Sequence, residues 1–424
     1  MIKQLLKDSF VVLVLANLAN ACRLLLQIII ARYLVTDAFG LYSSVYATVN
    51  IFSFIAGAII TFVTQLVLEY SKDGNTKSYI LIKSQKYCWI IFVLLLLTAP
   101  LFSAILSYYL KIGALLPGLI AFVTNALIFM QSYYAGVLLA EMRFRQNAIK
   151  ELVIASVHIL SVVILVFYVS YSYYGALAAL LLAYGVGLIY ILNLIKPWTW
   201  RAVEVSGKPI LWFDAFCIFG RLLTLCLILG AFLGLDVIFA RRHLAPTTAG
   251  IYSAAALTAK IIFFLTSSLV SIIFPTVCNN MQTGKSSARE MLLLLGIVVL
   301  CSSFVTALFV FIPETVMTLL YGQAYTAGAE MLVNCSYFIA VLSVNAVLLN
   351  YFAAKKEGHA FYSGVIGVII SVSLIIFSDN KTGISIAQAF LAGSLFLLVS
   401  LVLVGVFSKQ RIDSCRNYIM LKLP

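Results

Sequence analysis

Residues 88–110 read CWIIFVLLLLTAPLFSAILSYYL, a long run of mostly apolar residues with no charged side chain. A helix needs roughly 20 predominantly apolar residues to cross the hydrocarbon core of a bilayer. Inside that core a helix satisfies its own backbone hydrogen bonds, which an isolated strand cannot do. This stretch therefore predicts a transmembrane helix.

Similar apolar runs occupy most of the chain. They predict twelve transmembrane helices, at residues 10–31, 41–68, 88–110, 113–140, 152–170, 175–195, 211–240, 250–275, 291–313, 329–352, 360–377 and 384–407. The composition agrees, because 63% of the 424 residues are hydrophobic and 10% are charged, whereas a soluble domain is roughly half apolar and a quarter charged. We predict an all-α integral membrane protein.

The net charge of +13 is distributed unevenly along the chain. If the N-terminus is cytoplasmic, twenty of the 28 Lys and Arg residues fall in cytoplasmic segments and five in outer segments. Because cytoplasmic loops of membrane proteins are enriched in Lys and Arg, this bias predicts that both termini are cytoplasmic. The basic character is therefore explained by orientation, and we expect no nucleic-acid partner.

One short motif occurs twice, half a chain apart. Residues 31–44, ARYLVTDAFGLYSS, and residues 240–254, ARRHLAPTTAGIYSA, both pass from Ala-Arg to Gly, Leu or Ile, Tyr and Ser. The offset of 209 to 210 residues separates the copies by six helices, an even number, so the halves have the same orientation. We predict two parallel six-helix bundles, 1–205 and 206–424, with substrate sites between them.

Three cations lie within predicted helices: Arg23, Arg221 and Lys260. A cation inside the bilayer is costly, so it usually faces a cavity and marks a functional site. We expect these residues to line an aqueous cavity and bind an anionic substrate. For Arg23 the alternative is a side chain that extends along its helix to the interface.

Polar residues share helical faces with these cations when residues are placed at 100° intervals. The predicted cavity-lining set is Asn17, Asn20, Gln27, Tyr46, Asn50, Ser53, Thr61, Thr224, Ser253 and Ser267. The acids within the predicted spans are Asp214, Asp236 and Glu330, all near helix ends, so the middle of the cavity is expected to be net positive. Asp214 and Asp236 are the candidates for ion coupling, although Arg241 and Arg242 favour an interfacial cluster for Asp236.

Signs of catalysis and of metal binding are missing. No Ser-His-Asp, paired-carboxylate or Cys-His arrangement stands out, and no two histidines have ligand spacing. The Thr283–Ser286 sequence TGKS has Asn279 where a P-loop requires glycine. We expect neither an enzyme nor a bound cofactor or metal. Separately, Gly230-x-x-x-Gly234 indicates a closely packed helix face.

Several of these motifs resemble a known family. Twelve helices in two parallel halves are similar to the Wzx-type polysaccharide-unit flippases of the multidrug/oligosaccharidyl-lipid/polysaccharide (MOP) exporter superfamily. The motifs that carry the resemblance are Ala31-Arg32-Tyr33-Leu34, Asp37-Ala38-Phe39-Gly40-Leu41-Tyr42, Ala249-Gly250-Ile251-Tyr252-Ser253-Ala254-Ala255 and Leu320-Tyr321-Gly322-Gln323-Ala324-Tyr325.

The resemblance implies a substrate and a location. It implies that oligosaccharide units on undecaprenyl pyrophosphate are turned from the cytoplasmic to the outer leaflet of a bacterial inner membrane, for O-antigen or capsule assembly. Arg23, Arg221 and Lys260 would then hold the pyrophosphate. Alternating access, coupling to an ion gradient, contact with membrane lipid and with polymerase machinery, and function as a monomer are further expectations.

Three alternatives remain open. A multidrug cation antiporter of the same superfamily would need buried acids where this chain has cations. A peptidoglycan-precursor flippase of the superfamily usually has two more helices. A membrane glycosyl- or acyltransferase would need catalytic residues near one membrane surface, and none is found.

Overall fold

The computed structural model describes the backbone of residues 2–70, 74–170, 172–197, 212–282, 288–355 and 358–420. Side chains are described at residues 14–15, 17–68, 78–166, 172–197, 219–267, 289–355 and 358–405. All regular structure within these ranges is helical, as the apolar runs predict.

Thirteen α-helices follow one another in the described ranges. They are α1 (Ile2–Tyr33), α2 (Thr36–Tyr70), α3 (Gly74–Tyr109), α4 (Leu116–Ala140), α5 (Phe144–Val162), α6 (Tyr173–Ile195), α7 (Trp212–His243), α8 (Pro246–Gln282), α9 (Ala288–Phe311), α10 (Pro313–Tyr321), α11 (Ala329–Ala354), α12 (Gly358–Phe377) and α13 (Gly383–Met420). A π-helical segment, Val163–Ser170, continues α5, and a 3₁₀ segment, Gln323–Gly328, joins α10 to α11.

The twelve predicted spans each correspond to one long helix, so the all-helical membrane fold is confirmed. Within the described residues, eleven helices are long and apolar enough to cross a membrane. Most helices extend beyond the predicted spans, because hydropathy detects the part in hydrocarbon and not the polar turns beyond it. Hydropathy also does not reveal α10, a nine-residue helix that begins with Pro313, a residue well suited to a first helical position.

The chain divides into two compact units. Unit 1 contains Met1–Ala254 and Glu314–Gly328, and unit 2 contains Ala255–Pro313 and Ala329–Pro424. Helix α7 thus groups with the first six helices. The predicted halves, 1–205 and 206–424, remain a prediction about the repeat.

Close packing in unit 1 centres on α2, which packs against α4 and α7. A Cβ atom at Gly234 of α7 would lie 2.5 Å from Cγ1 of Ile51, and one at Gly230 would lie 3.1 Å from Cβ of Phe54. Small residues let membrane helices approach closely enough for van der Waals packing and interhelical contacts. The Gly230-x-x-x-Gly234 prediction is therefore confirmed, with α2 as the partner helix.

The two copies of the repeated motif contact each other within unit 1. A Cβ atom at Gly40 would lie 2.8 Å from the backbone nitrogen of Gly250. Tyr42 and Tyr252, two residues further along each copy, are fully buried. The shared glycine is therefore explained by the close approach of the N-terminal turns of α2 and α8.

In unit 2, α11 packs against α9 and α13, and α12 packs against α13. The amide of Asn345 on α11 donates a 2.8 Å hydrogen bond to the carbonyl oxygen of Ser394 on α13. Gly393 gives α13 a close approach to Gly367 and Ser371 of α12. These contacts repeat the principle seen in unit 1, in which small and amide residues join apolar helices.

Candidate functional site

Arg23 lies well inside α1 and forms an ion pair with α5. Its Nη2 atom donates to Oε2 of Glu151, and its Nη1 atom donates to Oδ1 of Asn20 at 3.2 Å. The Arg23 and Glu151 side chains are 28% and 32% exposed. The pair is thus shielded by protein on most sides but remains accessible to a ligand.

Glu151 carries a second cation on its other oxygen. Lys150 Nζ lies 2.7 Å from Glu151 Oε1, and the Lys150 side chain is only 4% exposed. The three side chains together carry a net charge of +1. Because an unpaired buried ion pays a desolvation penalty of several kcal/mol, Glu151 is the group that makes two neighbouring cations tolerable here.

Tyrosines and a glutamine surround this ion triad. Tyr46 of α2 and Tyr184 of α6 lie close enough to Arg23 for electrostatic interaction. Ser53 lies near Tyr184, and its hydroxyl donates to the carbonyl oxygen of Val49 at 3.0 Å. Gln27 Nε2 donates to the Tyr42 hydroxyl at 3.0 Å, and the Tyr42 and Tyr46 rings stack at 5.8 Å. We call this set the Arg23 cluster: Asn20, Arg23, Gln27, Tyr42, Tyr46, Ser53, Lys150, Glu151 and Tyr184.

The Arg23 cluster contains five residues that the sequence predicts for the cavity: Asn20, Arg23, Gln27, Tyr46 and Ser53. Their proximity follows from the packing of α1 on α5, with α2 and α6 in unit 1. Sequence reasoning missed the acid that compensates Arg23. The sequence analysis considered only the acids within the predicted spans, and Glu151 lies just outside the span 152–170, because α5 begins at Phe144.

Lys150 and Glu151 could have been found from their neighbours. The sequence Ala148-Ile149 precedes them and Leu152-Val153-Ile154 follows, so both charges are flanked by apolar residues on a helix. The predicted span 152–170 leaves Lys150 outside the helix, whereas Lys150 lies within α5 and its side chain is buried. Tyr184, within the apolar α6, carries no comparable sequence signal.

Other predicted cavity hydroxyls bond to their own helices. Each donates to a carbonyl one turn back, a common arrangement for Ser and Thr in membrane helices. The pairs are Thr61 with Gly57 at 3.0 Å, Thr224 with Gly220 at 2.8 Å, Ser253 with Ala249 at 2.8 Å and Ser267 with Phe264 at 2.7 Å. Their role toward a substrate remains a prediction.

The remaining predicted site residues have varied surroundings. Asn17 is exposed on α1, Asn50 is partly buried on α2, and Arg221 is partly buried on α7. Lys260 is buried in the part of α8 that belongs to unit 2, and Asp236 is fully buried on α7. The side chain of Asp214 lies outside the described residues.

A second ion pair joins the two copies of the repeated motif. Arg241 Nη1 donates to Asp37 Oδ1 at 2.7 Å, with the arginine 8% and the aspartate 49% exposed at the side chain. Arg242 stacks over Tyr109 and Tyr108, at 5.5 and 5.9 Å from the ring centroids. Arg241 thus pairs with Asp37 in the other motif copy, an acid that the sequence analysis did not consider for it.

The first motif also anchors the short segment that contains α10. Arg32 Nε donates to the carbonyl oxygen of Leu320 at 2.7 Å, and Arg32 Nη2 donates to that of Leu319. The Tyr325 hydroxyl donates to the carbonyl oxygen of Ala31 at 3.0 Å. Arg32 of α1 therefore satisfies carbonyls at the C-terminal end of α10 that have no partner within that helix.

Comparison with protein families gives one match, which covers most of the chain. A family described as "Polysaccharide biosynthesis protein" matches residues 5–281. A search of curated proteins by sequence finds no match.

Solved structures resemble the fold over nearly the whole chain. A multidrug resistance MATE family transporter of the MOP superfamily, inward-facing, has a TM-score of 0.73 at 13% identity, covering 94% of this chain and 96% of that one. The lipid II flippase MurJ, inward closed, has a TM-score of 0.74 at 12% identity, covering 93% and 87%. A MOP superfamily transporter from Pyrococcus furiosus has a TM-score of 0.63 at 14% identity, covering 96% and 94%.

These solved proteins are transporters or flippases, and they share one architecture. At such low identity they show the fold and not the substrate. Together with the family match, they identify a multi-pass membrane protein. The chain belongs to the polysaccharide biosynthesis protein family and has the fold of the MOP superfamily transporters.

Proposed function

We propose that this protein is a flippase for oligosaccharide units linked to undecaprenyl pyrophosphate. It turns them from the cytoplasmic to the outer leaflet of a bacterial inner membrane, for assembly of O-antigen or capsule. The observation that carries the proposal is the Arg23 cluster. This partly accessible group has a net positive charge and lies within the membrane helices of a polysaccharide biosynthesis family member.

The physical problem of such a transport step is the polar head. Each hydroxyl costs several kcal/mol to move into hydrocarbon without a partner, and a pyrophosphate costs far more. A guanidinium can bind two phosphate oxygens at once, which suits Arg23 to the pyrophosphate. The phenols of Tyr46 and Tyr184 provide hydrogen-bonding partners for sugar hydroxyls near the same cation.

Further features of the proposal follow the sequence analysis. Arg221 and Lys260 are additional cations for the phosphate groups, and both termini are cytoplasmic. Alternating access exposes the substrate to each side in turn, and an ion gradient supplies the energy, since each charge moved gains about 2.3 kcal/mol per 100 mV. Asp214 and Asp236 are the candidate coupling residues, and polymerase machinery is the expected receiver of the product.

Two other transport functions are outcomes of the same test. A multidrug cation antiporter is favoured by the fold of the MATE transporters, but the net charge of +1 in the Arg23 cluster suits an anion. A peptidoglycan-precursor flippase is favoured by the fold of MurJ and would also carry a pyrophosphate. Loss of viability would indicate a peptidoglycan precursor, whereas loss of surface polysaccharide indicates the proposed substrate.

The experiment is a gene deletion with complementation. We expect the deletion to accumulate lipid-linked units on the cytoplasmic side and to lose surface polysaccharide, and we expect Arg23→Ala and Lys260→Ala not to restore it at normal protein level. Lys83→Ala is the control, because it removes an equal charge from a lysine of α3 that contacts Tyr79. Full activity of Arg23→Ala, Lys260→Ala and the double variant would contradict the proposed site.

A further inference from the structure

Glu151 has an unusual position for a carboxylate in a membrane helix. Each of its oxygens faces a different cation, Arg23 on Oε2 and Lys150 on Oε1. A carboxylate in this bridging position presents two oxygens to two basic groups, as two oxygens of a phosphate would. The two cations are therefore already paired with an anion that belongs to the protein itself.

We infer that Glu151 is an internal counter-anion that occupies the place of the substrate's phosphate groups, and that a phosphate ligand displaces it from Arg23. The inference rests on the proposed function and adds a mechanism of exchange to it. The ligand class is a phosphate or pyrophosphate monoester of a lipid. Glu151 is a positioning residue in this scheme, since it acts on Arg23 and Lys150 and not on the ligand.

Exposure indicates the order in which the groups meet a ligand. Arg23 and Glu151 are each about 30% exposed, at 28% and 32%, whereas Lys150 is 4% exposed. An incoming phosphate therefore reaches the Arg23–Glu151 pair first. Lys150 remains on the protein side of Glu151, where it can keep the released carboxylate paired.

Exchange of one anion for another solves an energetic conflict of transport. Without Glu151, two cations close together inside the membrane would repel each other and lack compensation. With Glu151, the empty site is stable, and a ligand binds only by replacing an existing partner. Only sites in which Arg23 is released from Glu151 can bind the ligand, so the apparent affinity is the intrinsic affinity multiplied by the fraction of such sites. The lower affinity assists release of the substrate after transport.

The ion pair between Asp37 and Arg241 provides a matched control within unit 1. Asp37 and Arg241 also form an acid–arginine pair at 2.7 Å, but Asp37 contacts this one cation and lies at the start of α2. Asp37→Asn and Glu151→Gln therefore make the same change of charge in the same unit. Only Glu151→Gln changes the counter-anion of the Arg23 cluster.

The test measures binding of farnesyl diphosphate to the purified full-length protein in lipid nanodiscs. We expect Glu151→Gln to bind it roughly tenfold more tightly than wild type, within the usual range of coupling between two ligands. Asp37→Asn should bind as wild type does. Arg23→Gln should bind more weakly than wild type. The double variant Arg23→Gln/Glu151→Gln should bind no more tightly than Arg23→Gln, because removal of the Glu151 carboxylate then frees no arginine for the ligand.

Two competitors distinguish recognition of the phosphate groups from recognition of the isoprenoid chain. Inorganic pyrophosphate and farnesol are added separately as competitors. Competition by pyrophosphate alone assigns recognition to the phosphate groups, whereas competition by farnesol alone assigns it to the isoprenoid and overturns the inference. Equal competition by both supports a phosphate site beside a lipid-binding surface.

The outcomes distinguish this inference from the proposed function. If wild type binds farnesyl diphosphate and Glu151→Gln binds no more tightly, the displacement is wrong while the phosphate site stands. If neither protein binds it, the phosphate site itself is wrong. If Glu151→Gln does not fold, Glu151→Asp replaces it. The shorter carboxylate holds Arg23 less well, so this variant should bind farnesyl diphosphate more tightly than wild type. Unchanged or weaker binding overturns the inference.

Discussion

At the scale of single residues, Arg23 shows how a membrane cation is stabilised. Its guanidinium has one neutral partner, Asn20, on its own helix and one charged partner, Glu151, on α5. The neutral partner lies one turn away, so it could be predicted from helical spacing. The charged partner is 128 residues away in sequence and decides that Arg23 is a member of an ion triad and not an isolated charge.

The first prediction concerns the coupling of this pair. Arg23→Ala leaves Glu151 with Lys150 alone, and Glu151→Ala leaves two cations uncompensated, so each should destabilise the protein. We expect the two to be non-additive, with a coupling of about 1–2 kcal/mol, because the pair is partly exposed and lies between the values for surface and buried pairs. Thermal unfolding of both single variants and the double variant in detergent measures it; additive effects would contradict the pairing.

At the scale of elements, the repeated motif is explained by contacts between helix ends. Gly40 and Gly250 allow the first turns of α2 and α8 to touch, and Asp37 and Arg241 connect α2 to α7. In the same region, Arg32 binds the C-terminal end of α10. Each of these residues acts at a helix end: the glycines allow close approach, and the charged residues form an ion pair or bind backbone carbonyls. The last carbonyls of a helix have no partner within the helix, so Arg32 has a ready acceptor there.

A second prediction concerns Gly40. Gly40→Ala places a Cβ atom 2.8 Å from a backbone nitrogen of Gly250, and backbone moves less readily than a side chain. We expect a loss of about 1–3 kcal/mol of stability, as for other overpacked sites. Gly296→Ala on α9 is the control, because nothing lies within 4 Å of its Cβ position. Equal thermal stability of the two variants would show that the Gly40 contact is unimportant.

A third prediction concerns Tyr325. Tyr325→Phe removes the hydrogen bond to the carbonyl oxygen of Ala31 and should cost about 1 kcal/mol. The Gln323–Gly328 segment should then be cut faster by protease in detergent-solubilised protein. Tyr337→Phe changes an exposed tyrosine of α11 and serves as the control. Unchanged cleavage in Tyr325→Phe would mean that the other contacts of the segment suffice to hold it.

At the scale of the whole molecule, the membrane fold is accompanied by an orientation that we predict from the distribution of charge. Lys355 lies after α11 and Lys381 before α13, so α12 (Gly358–Phe377) separates them. The bias of Lys and Arg assigns the first to the cytoplasm and the second to the outer side. This assignment underlies the direction of the proposed transport.

The fourth prediction tests that orientation. With the eight native cysteines replaced, a cysteine at position 381 should react with a membrane-impermeant thiol reagent added to intact cells. A cysteine at position 355 should react only after the membrane is opened. The reverse pattern would invert the topology and the direction of transport, while leaving the fold unchanged.

The positions of the helices were predictable because they depend on local composition. A run of apolar residues such as 88–110 must be helical in a bilayer whatever lies elsewhere in the chain. The extents were less predictable, since α2 begins at Thr36 and α8 reaches Gln282, where polar turns continue a helix beyond hydrocarbon. The nine-residue α10 gave no hydropathy signal because it is far shorter than the roughly 20 apolar residues of a membrane span.

The amino-acid sequence alone determined the membrane class, the helix order and the charge bias, since each is a sum over neighbouring residues. The tertiary structure decided which charges meet. Glu151 reaches Arg23, and Asp37 reaches Arg241 across 204 positions of chain. Such contacts depend on how whole helices pack, and helix packing follows from the shapes of many side chains together rather than from the identity of any one residue.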